Sequence, residues 1–137
     1  MTETQIHMNL VTALKEKIVH QFLCGDPGLL LIDTPGQSTG KKPPQINGYV
    51  PDVFVPRLGN NTHYIIGEAK TANDLETRHS TMQITAFLKH CNEVNNSIFF
   101  LAVPWDKALS AKSFLKQIVR TNNLLNAKTY VLEKLRG

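Results

Sequence analysis

The sequence predicts a single α/β domain whose mixed sheet is flanked by helices, with elements in the order α-β-β-β-α-β-α-β. Three observations predict it. Helical apolar spacing recurs in three separate stretches, short apolar runs fall between them, and Gly59-Asn60-Asn61 parts two of those runs as a hairpin turn would. The 137 residues amount to one domain, and 42% hydrophobic against 19% charged residues is a globular balance that excludes wholesale disorder and fibrous repeats.

Taken in order, Asn9 to Phe22 reads as a helix, because Leu10, Leu14, Ile18 and Phe22 recur every four residues. Gly25-Asp26-Pro27-Gly28 ends it, and Leu29 to Asp33 fits a short buried strand. Thr34 to Gly48, rich in Gly, Pro, Ser, Thr and Lys, reads as a long loop. Tyr49 to Leu58 and Thr62 to Ala69 read as the two strands of the hairpin. A helix from about Thr77 or Ser80 to Asn92 carries Ile84, Phe87, Leu88 and Cys91 on one stripe. Ser97 to Val103 is a continuous apolar strand. Ala108 to Thr121 is an amphipathic helix with Leu115, Ile118 and Val119 inward, and Thr129 to Leu132 is a last strand.

The net charge is +4, and it is unevenly placed. Residues 107–137 hold seven basic groups and one acid, Glu133, for a net +6, so residues 1–106 sum to −2. That surplus points toward a polyanionic partner. Cys24 and Cys91 are too few for a disulfide framework, which suits a reduced, cytoplasmic protein. No apolar run approaches the roughly 18 residues a membrane span needs, and Met1-Thr2-Glu3-Thr4 does not begin a secretory signal.

Two stretches imitate phosphate motifs. Ile32-Asp33-Thr34-Pro35-Gly36 resembles the Asp-x-x-Gly element of nucleotide hydrolases, and Gly36 to Lys42 resembles a phosphate loop. The second has three residues between its glycines instead of four, carries Lys42 where Ser or Thr should hold magnesium, and follows the Asp strand rather than preceding it. Nucleotide hydrolysis is therefore not expected, although Lys41 and Lys42 remain candidates for touching a phosphate backbone.

The strongest chemical signal is Pro51-Asp52 followed by Glu68-Ala69-Lys70. If Leu58 pairs with Thr62 around the turn, the numbers of paired residues sum to 120, and Asp52 meets Glu68 on one face of the sheet. Lys70, two residues on, projects from that face as well. Opposed carboxylates repel unless a cation lies between them. A divalent ion held by Asp52, Glu68 and the backbone carbonyl of Ala69 would relieve the repulsion and activate a water against a phosphate. Lys70 would orient or deprotonate that water or stabilise developing charge. The plainer alternative is a solvated Asp/Glu/Lys cluster.

These residues resemble the PD-(D/E)XK nuclease superfamily of restriction endonucleases, Holliday-junction resolvases and virus-type replication-repair nucleases. Its motif is matched by Pro51-Asp52 and Glu68-Ala69-Lys70, and its α-β-β-β-α-β core by roughly residues 9–103. The resemblance implies hydrolysis of DNA phosphodiesters with Mg2+ or Mn2+ by Asp52, Glu68 and Lys70. It further implies a role for Gln83, in the helix after the Lys, toward the lysine, a water or a phosphate. Ser80-Thr81-Met82-Gln83 also reads as a local capping box, so both readings of Gln83 stand. Some members place a Glu on the first helix as an extra metal-shell ligand; Glu16 stands where an exposed charge or such a ligand would.

Around this core, Arg78 and the row Lys112, Lys116, Arg120 are candidate contacts to a nucleic-acid backbone. Trp105, at a strand end, reads as a cap on the core. His20, Cys24 and His90-Cys91 lack zinc spacing and read as packing.

The expectation is thus one nuclease domain over residues 1–137, with a basic helix–strand extension from 107, acting on DNA as a homodimer under structural or partner guidance. Bacterial, phage and mobile-element settings all suit it. The alternative is a non-catalytic binding or assembly subunit of a larger DNA-processing machine on the same fold.

Overall fold

The structure is a computed structural model and describes residues 1–33, 42–57 and 63–135. Helix α1 spans Glu3–Phe22 and strand β1 Leu31–Ile32; β2 is Val53–Val55 and β3 is Tyr64–Ala69. Then follow α2 (Arg78–Glu93), β4 (Ser97–Pro104), α3 (Ala108–Thr121) and β5 (Lys128–Lys134). The protein is an α/β domain in which five strands form one mixed sheet in the order β1-β2-β3-β4-β5. β1, β2 and β3 are antiparallel neighbours, while β3, β4 and β5 run parallel.

Helices cover both faces. α1 lays Leu10, Leu14 and Ile18 against Val53, Ile65, Phe100 and Ala102. On the other face α2 and α3 bring Ile84, Phe87, Leu88, Leu115 and Ile118 against Phe54, Ile66, Phe99 and Leu101. Alternation along β3 sends Ile65 and Ala69 toward α1 and Ile66 toward α2, so Glu68 also belongs to the α2 face. Gly67 is what lets α1 sit close. A Cβ there would lie 3.2 Å from Val53 Cβ and 3.5 Å from Leu14 Cδ1.

Several elements differ from the sequence reading. α1 begins six residues before Asn9, because Thr2 and Gln5 form a reciprocal capping box. Ile6 carries the four-residue apolar stripe one turn N-terminal of Leu10 and packs against the same core, a signal that a start at Asn9 leaves out. β2 is only three residues long, against the ten expected, since Pro51 and Pro56 flank it and a proline cannot donate to the ladder. Within the expected loop, Ile46 to Tyr49 closes a tight turn, with Asn47 at φ 51° and Gly48 at φ 92°, that buries Ile46. Pro27–Leu29 is a 3-10 turn rather than the beginning of β1. α2 is capped by Thr77, whose hydroxyl accepts from the Ser80 amide, which displaces the expected Ser80–Gln83 box. The Gly59-Asn60-Asn61 turn, the Leu58–Thr62 pair and Lys41 lie outside the described residues.

Among the described residues no helix is long and apolar enough to cross a membrane.

Candidate active site

The β2–β3 ladder pairs Val53 with Gly67, Phe54 with Ile66 and Val55 with Ile65. Every pair sums to 120, the register the hairpin arithmetic requires. One step beyond the ladder, Asp52 meets Glu68 in that same register. The Asp52 amide donates to Glu68 Oε1 at 3.0 Å, and Asp52 Oδ2 accepts from the Ala69 amide at 2.9 Å. In an extended strand a residue's N–H and C=O leave by the same edge, so the Ala69 carbonyl faces the Asp52 side too.

Lys70 leaves the end of β3 held by the Ala102 carbonyl, which accepts from its amide at 3.0 Å. Its Nζ donates to Gln83 Oε1 at 2.6 Å and lies 3.5 Å from Glu68 Oε2. Asp52, Glu68, Lys70 and Gln83 therefore converge at one end of β3, at the N-terminal end of α2. Glu68 is 3% exposed and Lys70 6% exposed. Burial pushes the Glu68 carboxyl well above the usual carboxylate range, and the neighbouring Asp52 charge pushes it the same way, partly offset by Lys70.

Two α1 side chains absent from the sequence reading lie beside the cluster, one of them in contact with it. His7, half-buried on α1, places Nε2 3.2 Å from Asp52 Oδ2. Its pKa is raised, chiefly by the hydrogen bond to Asp52, against the opposing effect of burial. One turn earlier, Glu3 Oε1 accepts from the Thr71 hydroxyl at 2.5 Å. The signal that could have found both is the Thr2-x-x-Gln5 capping box, which starts α1 early enough to carry Glu3 and His7.

The remaining candidates are spread over the surface. Glu16 is exposed, and nine residues of helix put it about 13 Å along α1 from His7. The α1 side chain that reaches the cluster is His7 instead, with Glu3 on neighbouring Thr71. Arg78 is exposed in the first turn of α2, and Lys42 is exposed just before buried Pro43. Lys112, Lys116 and Arg120 are exposed on α3. Trp105 does not cap the core but is 48% exposed. Cys91 is buried, which pushes its thiol up to about 12, and His90 pairs with the Tyr64 hydroxyl at 2.8 Å.

The donor set suits a hard divalent cation in its chemistry: two adjacent carboxylates and a carbonyl. Among the described residues no group of three or more His, Cys, Asp and Glu side chains is arranged to hold a metal ion, so protein ligands would come from the Asp52–Glu68 pair and the backbone. Two surface grooves lie elsewhere, one between α2 and α3 beside Thr81 and Phe114, the other beside Met1, Ile6 and Pro104. No family model, curated protein or solved structure matches the chain.

Proposed function

We propose that the chain is a metal-dependent nuclease of the PD-(D/E)XK type that hydrolyses DNA phosphodiesters. The observation that carries this reading is the convergence of Asp52, Glu68, Lys70 and Gln83 at one end of β3. The antiparallel β1-β2-β3 start followed by parallel β4, with α1 and α2 on opposite faces, is the arrangement expected of a restriction-endonuclease-like core.

Asp52, Glu68 and the Ala69 carbonyl would hold Mg2+ or Mn2+, which when bound supplies charge neutralisation at the phosphate and a water of lowered pKa. Lys70 does the local work. Its ammonium is fixed by Gln83 and desolvated, so it can orient a water or stabilise charge on a phosphate oxygen at little reorganisation cost. His7 holds the Asp52 carboxylate by the oxygen that also accepts from Ala69, which fixes the carboxylate plane. Among the described residues each chain carries one such cluster, so a concerted cut of both strands of a duplex takes two copies, and a homodimer belongs to this reading.

A second reading, a non-catalytic nucleic-acid-binding or assembly module, draws on one observation: the carboxylates of Asp52 and Glu68 already have partners inside the protein. One experiment decides. Linear, single-stranded, flapped and four-way-junction DNA are incubated with the protein and Mg2+ or Mn2+, beside Asp52→Ala and Lys70→Ala. The nuclease reading expects cutting by the wild type alone. Binding without cutting by all three proteins removes that reading, and cutting unchanged in Asp52→Ala removes the site.

A further inference from the structure

Pro104 ends β4, and Trp105–Lys107 makes a single 3-10 turn that runs directly into α3. The turn lies at the site's end of the sheet. Ala102 is the ladder partner of Ala69, and Trp105 is three residues further on, about 10 Å at strand rise. Trp105 stands 48% exposed there, and Leu109, the second residue of α3, is 80% exposed.

The exposed side of α3 begins at Leu109, four residues after Trp105. At 100° per residue, Leu109, Lys112, Lys116 and Arg120 fall within an arc of about 80°, opposite buried Ala111, Leu115 and Ile118. α3 contains no acidic residue; the acids between Trp105 and Leu135 are Asp106, in the turn itself, and Glu133, on β5. Lys116 and Arg120 also line a shallow groove that passes Asn123 toward exposed Leu125. An aromatic platform leading into cations at one-turn intervals is the arrangement that follows a single strand: bases stack, and phosphates are met in sequence. A duplex hides its base faces and offers such a ring nothing to stack on.

We infer that the outer face of α3 is a track for one single strand of nucleic acid, with Trp105 stacking a base near the site and Lys112, Lys116 and Arg120 following the phosphates away from it. The track extends about 22 Å from Trp105 to Arg120. It deepens the nuclease reading by naming the substrate class, a DNA with an unpaired arm, and rests on that reading only for what happens at the site end.

Trp105 is the chain's only tryptophan, so its emission reports the contact directly. The full-length protein in EDTA is titrated with a short oligothymidylate and with a duplex hairpin of equal length, following Trp emission and the anisotropy of a label on the DNA. The expected result is quenching by the single strand and tighter binding of it than of the duplex. Trp105→Ala should weaken binding about five- to a hundredfold, with Trp105→Phe restoring most of it. Lys116→Gln and Arg120→Gln, both at exposed positions, should each lower the slope of log K against log salt by about 0.7. The inference is overturned by binding without quenching, by equal affinity for the duplex, by unchanged salt slopes, or by an emission change on raising protein concentration alone, which marks a protein interface. Cleavage assays with Mg2+ separate the two ideas. Quenching without cleavage removes the nuclease reading and leaves the track, and cleavage without quenching does the reverse.

Discussion

Lys70 and Gln83 are joined across the gap between β3 and α2, Nζ donating to Oε1 at 2.6 Å with both side chains buried. Gln83→Leu removes this acceptor and leaves a buried ammonium with Glu68 alone, at a cost of about 1–3 kcal/mol. Thermal denaturation should show that loss, and cleavage should fall steeply. Gln83→Glu, which keeps an acceptor, should recover stability. A Gln83→Leu protein that melts and cuts like the wild type would show that the contact carries no weight.

Glu68 sets a pH dependence of definite sign. Its folded pKa is raised, so above the ordinary 4.5 the folded chain keeps a proton that the unfolded chain has released. Stability from this source is complete below 4.5 and is lost as pH climbs through the raised value. His7 contributes with the same sign, complete below 6.5 and lost as pH rises through its own raised pKa. Melting curves in EDTA should therefore decline toward alkaline pH, and Glu68→Gln should flatten the decline. Superimposable wild-type and Glu68→Gln profiles would contradict the assignment.

Adding Mg2+ or Mn2+ should raise the melting temperature, because a cation that binds only the folded chain stabilises it by about 2.7 kcal/mol at a hundred times its Kd. The shift should disappear in Asp52→Asn and shrink at low pH, where Glu68 holds its proton. A titration with no shift at any pH would remove the metal assignment.

Gly67→Ala should destabilise the protein by about 1–3 kcal/mol through overpacking. The new methyl would meet Val53 Cβ at 3.2 Å and the Leu14 and Ile18 side chains of α1 just beyond. Pushing α1 outward also moves His7 from Asp52, so activity should fall further than stability explains. Denaturant midpoints and cleavage rates measured together test this.

Thr2→Ala should cost about 0.5–2 kcal/mol by removing the N-cap of α1, and amide exchange should quicken through the first turn, which bears Glu3.

The parts of the site legible in the sequence are those close along the chain. Glu68 lies in β3, Asp52 just before β2 and Lys70 just after β3, and one turn signal is enough to set the register of the two strands. Local stripes likewise mark α2 and α3, where Phe87, Leu88, Leu115 and Ile118 are buried as the periodicity requires. His7 and Glu3 are not legible from local pattern because their partners stand 45 and 68 residues away, although Ile6, one turn before Leu10, marks that the helix reaches them. The shortness of β2 is legible too, because Pro51 and Pro56 bound its ladder in the sequence itself, but the apolar run from Tyr49 to Leu58 outweighs them in a reading by pattern. Trp105 was misjudged because burial of a strand-end aromatic depends on what packs over it, and α3 begins too soon to do so.

The two carboxylates are anchored unequally. Glu68 belongs to a six-residue strand hydrogen-bonded on both edges, while Asp52 precedes a three-residue strand backed by the two residues of β1. Local opening should begin on the β1–β2 side and leave the Glu68–Lys70 segment closed. Amides on the Asp52 side should therefore exchange sooner than those of the Glu68–Lys70 segment, which β3 holds in the middle of the sheet.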